Sequence, residues 1–191
     1  MLYIHIPFCK QRCIYCDFYS TIYSENKVGK YFEAVCSELR LRATESHNTL
    51  SSIYIGGGTP SVVPTKYLEL LLNTIRQYYE ISQDAEITIE LNPDDVSPNY
   101  ASTLLTLGVN RVSLGVQTFS DQQLKFLNRR HTSNKAIEAV QTLHDAGIHN
   151  LSIDLIYGLP HQTLSQWQSD VKIALSLPIK HLSACGRYLC E

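Results

Sequence analysis

Six short runs rich in β-branched and aromatic residues recur along the chain: Leu2 to Ile6, Ser52 to Ile55, Ile87 to Leu91, Arg111 to Val116, Leu151 to Tyr157 and Lys180 to Ala184. Between them the apolar residues change period. Val28, Tyr31, Phe32, Val35 and Leu39, then Leu68, Leu71, Leu72 and Ile75, fall at three- and four-residue spacing, which predicts amphipathic helices. Boundary residues agree. Pro64 and Pro98 suit a first helical turn, Ser97 can cap the latter helix, and Gly108 and Gly147 can end helices in the left-handed conformation. Ser120 with Gln123 and Thr163 with Gln166 match capping boxes. Strand followed by helix, repeated, predicts an α/β fold with a parallel sheet and right-handed crossovers, open or closed into a barrel. Reactive residues then belong in the loops after the strand C-termini.

The 191 residues, 44% hydrophobic and 18% charged, suit one globular core rather than a disordered chain. With 16 Lys+Arg against 18 Asp+Glu, no global positive field exists to hold nucleic acid or an anionic membrane. No apolar run approaches the roughly 20 residues of a membrane span, and Met1 leads into Leu2 to Ile6 without a basic leader. The expectation is a cytoplasmic protein, unprocessed at its start. In a reducing compartment, clustered thiols among the six cysteines point to metal more than to disulfides.

The cluster is Cys9-Lys-Gln-Arg-Cys13-Ile-Tyr-Cys16, in the loop after the first strand. Three thiolates can converge there on one object. A structural zinc site wants four protein ligands, and His5, the nearest candidate for a fourth, sits within the strand. A cubane iron–sulfur cluster held by three cysteines instead leaves one iron open, and Lys10 and Arg12 can offset its negative charge. Iron–sulfur leads, with zinc and unrelated thiols as the alternatives.

The C-x3-C-x2-C loop resembles that of the radical S-adenosylmethionine (SAM) proteins. Tyr3-Ile-His-Ile-Pro-Phe-Cys9 narrows the likeness to the branch holding the oxygen-independent coproporphyrinogen III oxidases and the HemW heme chaperones. It continues through Gly56-Gly-Gly-Thr-Pro-Ser61, Glu90-Leu-Asn-Pro93, Ser113-Leu-Gly-Val-Gln117-Thr-Phe, Asn128-Arg129 and Asp154-Leu-Ile-Tyr-Gly-Leu-Pro160. The resemblance implies a partial (β/α)6 TIM-like barrel of the radical SAM type over residues 1–184. It implies a [4Fe-4S] cluster on Cys9, Cys13 and Cys16 that binds the amino and carboxylate groups of SAM. One-electron reduction, from a donor such as a flavodoxin, would then cleave SAM to methionine and a 5′-deoxyadenosyl radical.

The remaining motifs follow the strand ends. Gly57, Gly58 and Thr59 leave backbone groups open to a small polar ligand, although a turn serving only as a bend would read the same way. By resemblance they face the methionyl amino group. Glu90, Gln117 and Asp154 lie at or near strand ends and Arg129 follows the fourth strand. Singly, each could satisfy a buried backbone group or Arg111; together they suit SAM, whose ribose diol and ammonium want acceptors and whose carboxylate wants Arg. The resemblance places Tyr15 near the adenine and Tyr3 beside the cluster and sulfonium.

Other candidates read as structural. Cys36 falls on the apolar face of the first long helix, Trp167 on a helix face, and His47, His144 and His149 near helix ends or turns. His131 and His161 lie nearer the strand C-terminal face but fit structural roles better than heme ligation, and Cys185 and Cys190 have no histidine pattern beside them.

Within the branch, Cys16 is followed by Asp17-Phe18 where the oxidase pattern has x-Cys, and the chain starts two residues before Tyr3 where the oxidases carry an extension. Both point to the HemW side: heme as ligand, an unidentified heme acceptor as partner. The alternatives are a coproporphyrinogen III dehydrogenase of porphyrin biosynthesis and an inactive remnant. Residues 185–191 look unlike the family, and the expectation is a C-terminally truncated chain lacking the family's second domain.

Overall fold

In a computed structural model, described here over residues 1–45 and 48–186, six parallel strands form one sheet in chain order. They are β1 (Leu2–Ile6), β4 (Leu50–Gly57), β5 (Ile81–Leu91), β6 (Arg111–Gln117), β7 (Asn150–Tyr157) and β8 (His181–Gly186). A separate two-stranded ribbon pairs β2 (Phe8–Cys9) with β3 (Thr21–Ile22). The crossovers are α1 (Glu25–Arg42), α2 (Thr65–Tyr78), α3 (Pro98–Thr106), α4 (Asp121–Phe126) with α5 (Ser133–Asp145), and α6 (Leu164–Ser176). Strand order equal to chain order is what repeated right-handed crossovers produce. β1 and β8 are the two edges of the sheet, so the barrel is partial.

Alternation along the strands decides where the core sits. Ile4, Ile6, Ile53, Ile55, Ile89, Val112, Leu114, Leu151 and Ile153 are buried and pack with Val28, Phe32, Leu68, Leu71, Leu72 and Ile75 from the helices. The opposite face of the same strands carries Tyr54, Glu90, Ser113, Gly115 and Asp154, which line a cavity. Polar and small residues there replace the layers of branched side chains that fill a closed barrel.

Most boundaries match the sequence-based expectations, with four corrections. Pro64 is the N-cap of α2 rather than part of its first turn. Ser120 Oγ accepts from Gln123 N, but the Gln123 amide donates to the Pro160 carbonyl at 2.9 Å, so only Thr163 and Gln166 complete a reciprocal box. β5 begins at Ile81, six positions before Ile87, because residues beyond the alternating run still find partners on β4. Cys185 and Gly186, expected in a separate tail, extend β8 by pairing with Ile156 and Tyr157. His47, Cys190 and the rest of 187–191 lie outside the described residues. Ser97 caps α3, and Gly108 and Gly147 take φ of 82° and 107°.

Candidate functional site

The cysteine loop leaves β1 through Pro7 and is held by backbone at both ends. Thr21 N donates to Pro7 O at 2.7 Å and Tyr23 N to Cys9 O at 2.8 Å, closing the loop on itself. Gly58 N donates to Ile6 O at 2.8 Å and Thr59 N to Phe8 O at 2.9 Å, which seats the loop on the end of β4. Gly58 has no alternative here: a Cβ would stand 2.8 Å from the Pro7 carbonyl carbon and 2.9 Å from Phe8 O. Cys16 N donates to Cys13 O at 3.3 Å, a turn that brings these two cysteines round together.

The outer side of the loop is tied to the segment after α4. Asn128, at φ 58°, donates its amide to Arg12 O at 2.7 Å, and Gln11 donates back to Asn128 O at 3.2 Å. Lys10 Nζ meets the well-buried Asp95 carboxylate at 3.0 Å, which also takes Arg130 at 3.1 Å and Ser61 Oγ at 2.8 Å.

These anchors open the three thiols onto a cavity of about 470 Å³. Cys9, Cys13, Cys16, Tyr15, Gly57, Gly58, Thr59, Glu90, Gln117, Arg129 and Asp154 all line it. Tyr3 does not. Its ring lies between His5 and Tyr54, at 6.1 and 6.0 Å, with its hydroxyl 3.1 Å from His5 Nδ1. On the edge strand β1 it pairs with Tyr54, which does line the cavity.

The thiols meet donors. Thr59 Oγ1 donates to Cys9 Sγ at 3.4 Å, and Arg129 Nη1 to Cys13 Sγ at 3.5 Å and Tyr15 Oη at 3.3 Å. Burial pushes the Cys9 thiol up, and the Thr59 hydroxyl partly offsets that. Arg129 Nη2 also reaches Asn92 Oδ1 at 3.0 Å and the Gly115 carbonyl, while its buried Nε has no partner among the described residues. Glu90 is pre-set by Tyr54 Oη at 2.8 Å and Gly57 N at 3.0 Å. Asp154 receives Ser113 Oγ at 3.3 Å, yet burial and then the Glu90 charge push its carboxyl up to about 6.

Sequence reasoning missed Tyr54, Asn92 and Asp95. Alternation puts Tyr54 on the Gly56 face, and Asn92 lies inside the Glu90-Leu-Asn-Pro93 string. Nothing local marks Asp95, whose partners lie 34, 35 and 85 positions away.

The remaining candidates sit where structural roles would put them. Cys36 is buried and accepts from Thr74 Oγ1 at 3.4 Å. His131 is buried with Nε2 3.1 Å from Val116 O, and burial, then the Arg129 charge, lowers it to about 4, so it is neutral. His161 is exposed, His144 and His149 rings meet at 4.8 Å, and Trp167 packs on Tyr157 at 5.7 Å. Cys185 is exposed at the β8 wall of the cavity. Among the described residues no three His, Cys, Asp or Glu side chains close on a single metal ion, and no helix is long and apolar enough to cross a membrane.

Comparison with known proteins adds three findings. Residues 3–174 match the family described as the Radical SAM superfamily. Proteins named heme chaperone HemW from Synechocystis sp. and Lactococcus lactis are each 41% identical to this chain, over 189 and 181 residues; each match covers 95% of this chain and 45% or 47% of the relative. The chain thus spans about half the length of the curated relatives it matches. The solved structure of coproporphyrinogen III oxidase (HemN) from Escherichia coli, a radical SAM enzyme, superposes with a TM-score of 0.91 at 30% identity, covering 98% of this chain and 44% of that one.

Proposed function

The chain belongs to the radical SAM superfamily, and from that premise we propose that Cys9, Cys13 and Cys16 hold a [4Fe-4S] cluster beside a SAM site, in a HemW-like protein that binds heme and passes it to an acceptor. The observation that carries the reading is that the three thiols share one cavity with Glu90, Gln117, Arg129 and Asp154.

The donor set fits such a group. Three thiols line one open cavity, and the Thr59 and Arg129 donors at two of them favour charged sulfur. When bound and reduced, such a cluster would supply the electron that cleaves a carbon–sulfur bond of the SAM sulfonium. The chain's own residues bind and orient. Arg129, with its buried Nε still to satisfy, suits the methionyl carboxylate. Glu90, locked by Tyr54 and Gly57, accepts from hydroxyl or ammonium donors, as does Asp154. Tyr15, packed on the cluster of Leu127, Ile156 and Leu159, offers a flat apolar wall to adenine.

The superposition with the oxidase favours a second reading, a SAM-dependent coproporphyrinogen III dehydrogenase. Asp17-Phe18 after the third cysteine and the curated relatives support the chaperone reading over it. An electron donor such as a flavodoxin and a cytoplasmic location complete the proposal.

The test is anaerobic reconstitution with iron and sulfide, electron paramagnetic resonance with and without SAM, heme titration by absorbance, and incubation with coproporphyrinogen III. The expected result is one four-iron signal perturbed by SAM, heme binding and no decarboxylation. Turnover to protoporphyrinogen would replace the chaperone reading with the enzyme one, and stoichiometric zinc without iron would defeat both.

A further inference from the structure

Gln117 lines the cavity with a left-handed backbone, φ 73°, at the end of β6, where the register with β7 slips between Gly115 and Gln117. A residue with a Cβ stays in that conformation only where its surroundings over-determine it. Here they do, through three side chains, two from the segment between α4 and α5 and one from α6. Arg129 donates to the Gly115 carbonyl and His131 Nε2 lies 3.1 Å from Val116 O. On the other side, Asp170 of α6 takes Phe119 N on one oxygen and Thr118 Oγ1 on the other, both at 2.8 Å. Thr118 Oγ1 in turn accepts Ser120 N at 3.1 Å.

Asp170 is the member of this set that packing does not explain. It is 3% exposed, held by a backbone amide and a hydroxyl, in no ion pair among the described residues. An acid so placed is costly, and a helix residue that only packed on the sheet would be apolar. What its two hydrogen bonds determine is the path of residues 117–119. That path lays the Gln117 amide over Gly115, where a Cβ on Gly115 would come within 2.9 Å of Gln117 Nε2 and 3.4 Å of Arg129 Nη2.

We infer that Asp170 is a positioning residue: from α6 it clamps the 117–119 corner and so aims the Gln117 amide, beside the Arg129 guanidinium, at a ligand in the cavity. The ligand arm of this inference rests on the SAM reading above; the clamp itself does not.

The experiment uses the full chain, reconstituted anaerobically, as wild type, Asp170→Ala, Asp170→Asn, Gln117→Ala and the Asp170→Ala/Gln117→Ala double variant. Iron and sulfide content should match wild type throughout. Asp170→Ala should weaken SAM about tenfold in a paramagnetic resonance titration. Asp170→Asn, which keeps the shape and one acceptor, should recover most of that. The double variant should bind no more weakly than Gln117→Ala, because both changes act through one amide. Without SAM, amide hydrogen exchange should speed up at residues 117–120 in Asp170→Ala and stay unchanged in α5 and β7. Should Asp170→Ala fail to fold, Thr118→Val, which removes one donor to the same carboxylate, carries both arms. Unaltered exchange at 117–120 overturns the clamp. Wild-type SAM affinity in Asp170→Ala, or a fully additive double variant, overturns its role at the ligand. If the wild-type chain itself binds no SAM, the SAM reading falls and the exchange measurement still decides the clamp.

Discussion

Asn128 donates its side-chain amide to the Arg12 carbonyl over 2.7 Å, tying a residue 116 positions further along the chain into the three-cysteine loop. The same residue takes φ 58°, so it supplies both a left-handed turn and an anchor. These two roles are separable. Asn128→Gly keeps the turn and loses the anchor, at about 1 kcal/mol. Asn128→Ala loses both and should cost roughly 1 kcal/mol more. Urea unfolding of the two variants measures the order; equal losses would show that the turn carries no strain.

Gly58→Ala tests the seat of the same loop. Its Cβ would strike backbone of Pro7 and Phe8 at 2.8–2.9 Å, and backbone cannot swing aside as a flexible side chain does. The variant should fold, with the Cys9 segment displaced and iron uptake reduced several-fold. Iron content per chain after reconstitution is the readout, and normal loading would mean that the loop shifts without cost.

Cys9→Ala, Cys13→Ala and Cys16→Ala should each abolish cluster assembly, since three thiolates are all the protein ligation that the proposed cluster receives. Cys36→Ala should leave it intact. Cys36 is 1% exposed in the core and accepts the Thr74 hydroxyl, so its loss should appear as about 1 kcal/mol of stability and not in the ultraviolet–visible spectrum of the cluster.

Asp154 should make the ligand-free protein less stable as pH rises. Burial and the Glu90 charge lift its carboxyl to about 6, from an ordinary value of 3.8. A raised pKa means that the folded state holds the proton more tightly, so the stabilisation is complete below about pH 4 and is lost as pH climbs through 6. Relative to Asp154→Asn, wild type should lose on the order of 2 kcal/mol between pH 4 and 7. Denaturation midpoints of both proteins across that range provide the measurement. Parallel curves would show that Asp154 ionises normally.

The cysteine spacing, the strand–helix alternation and the strand-end positions of Glu90 and Gln117 were legible because each is a local pattern, while Asp154 lies three residues before the end of β7. Period 2 sends alternate residues of one strand to one face, and a residue at a strand end reaches the mouth wherever the strand lies in the sheet. Tyr3 shows the limit of that logic. It shares a face and a height with Tyr54, which lines the cavity, but it stands on the edge strand and is about half exposed, and which strand forms the edge is set by sheet order, not by motif position.

The sequence by itself determined the six strands of the main sheet and the helices between them, and that the three thiols fall within an eight-residue stretch after β1; the β2–β3 ribbon that holds Cys9 was not marked by any local pattern. Tertiary structure decided the rest of the site. Only in the fold does one guanidinium join Cys13, Tyr15, Asn92 and Gly115, Asp95 gather Lys10, Ser61 and Arg130, and Asp170 reach back 51 and 52 positions to the Gln117 corner. The physical reason is range. Backbone periodicity is written by near neighbours, whereas a buried polar group takes its partner from whatever donor or acceptor the packed chain brings within about 3 Å.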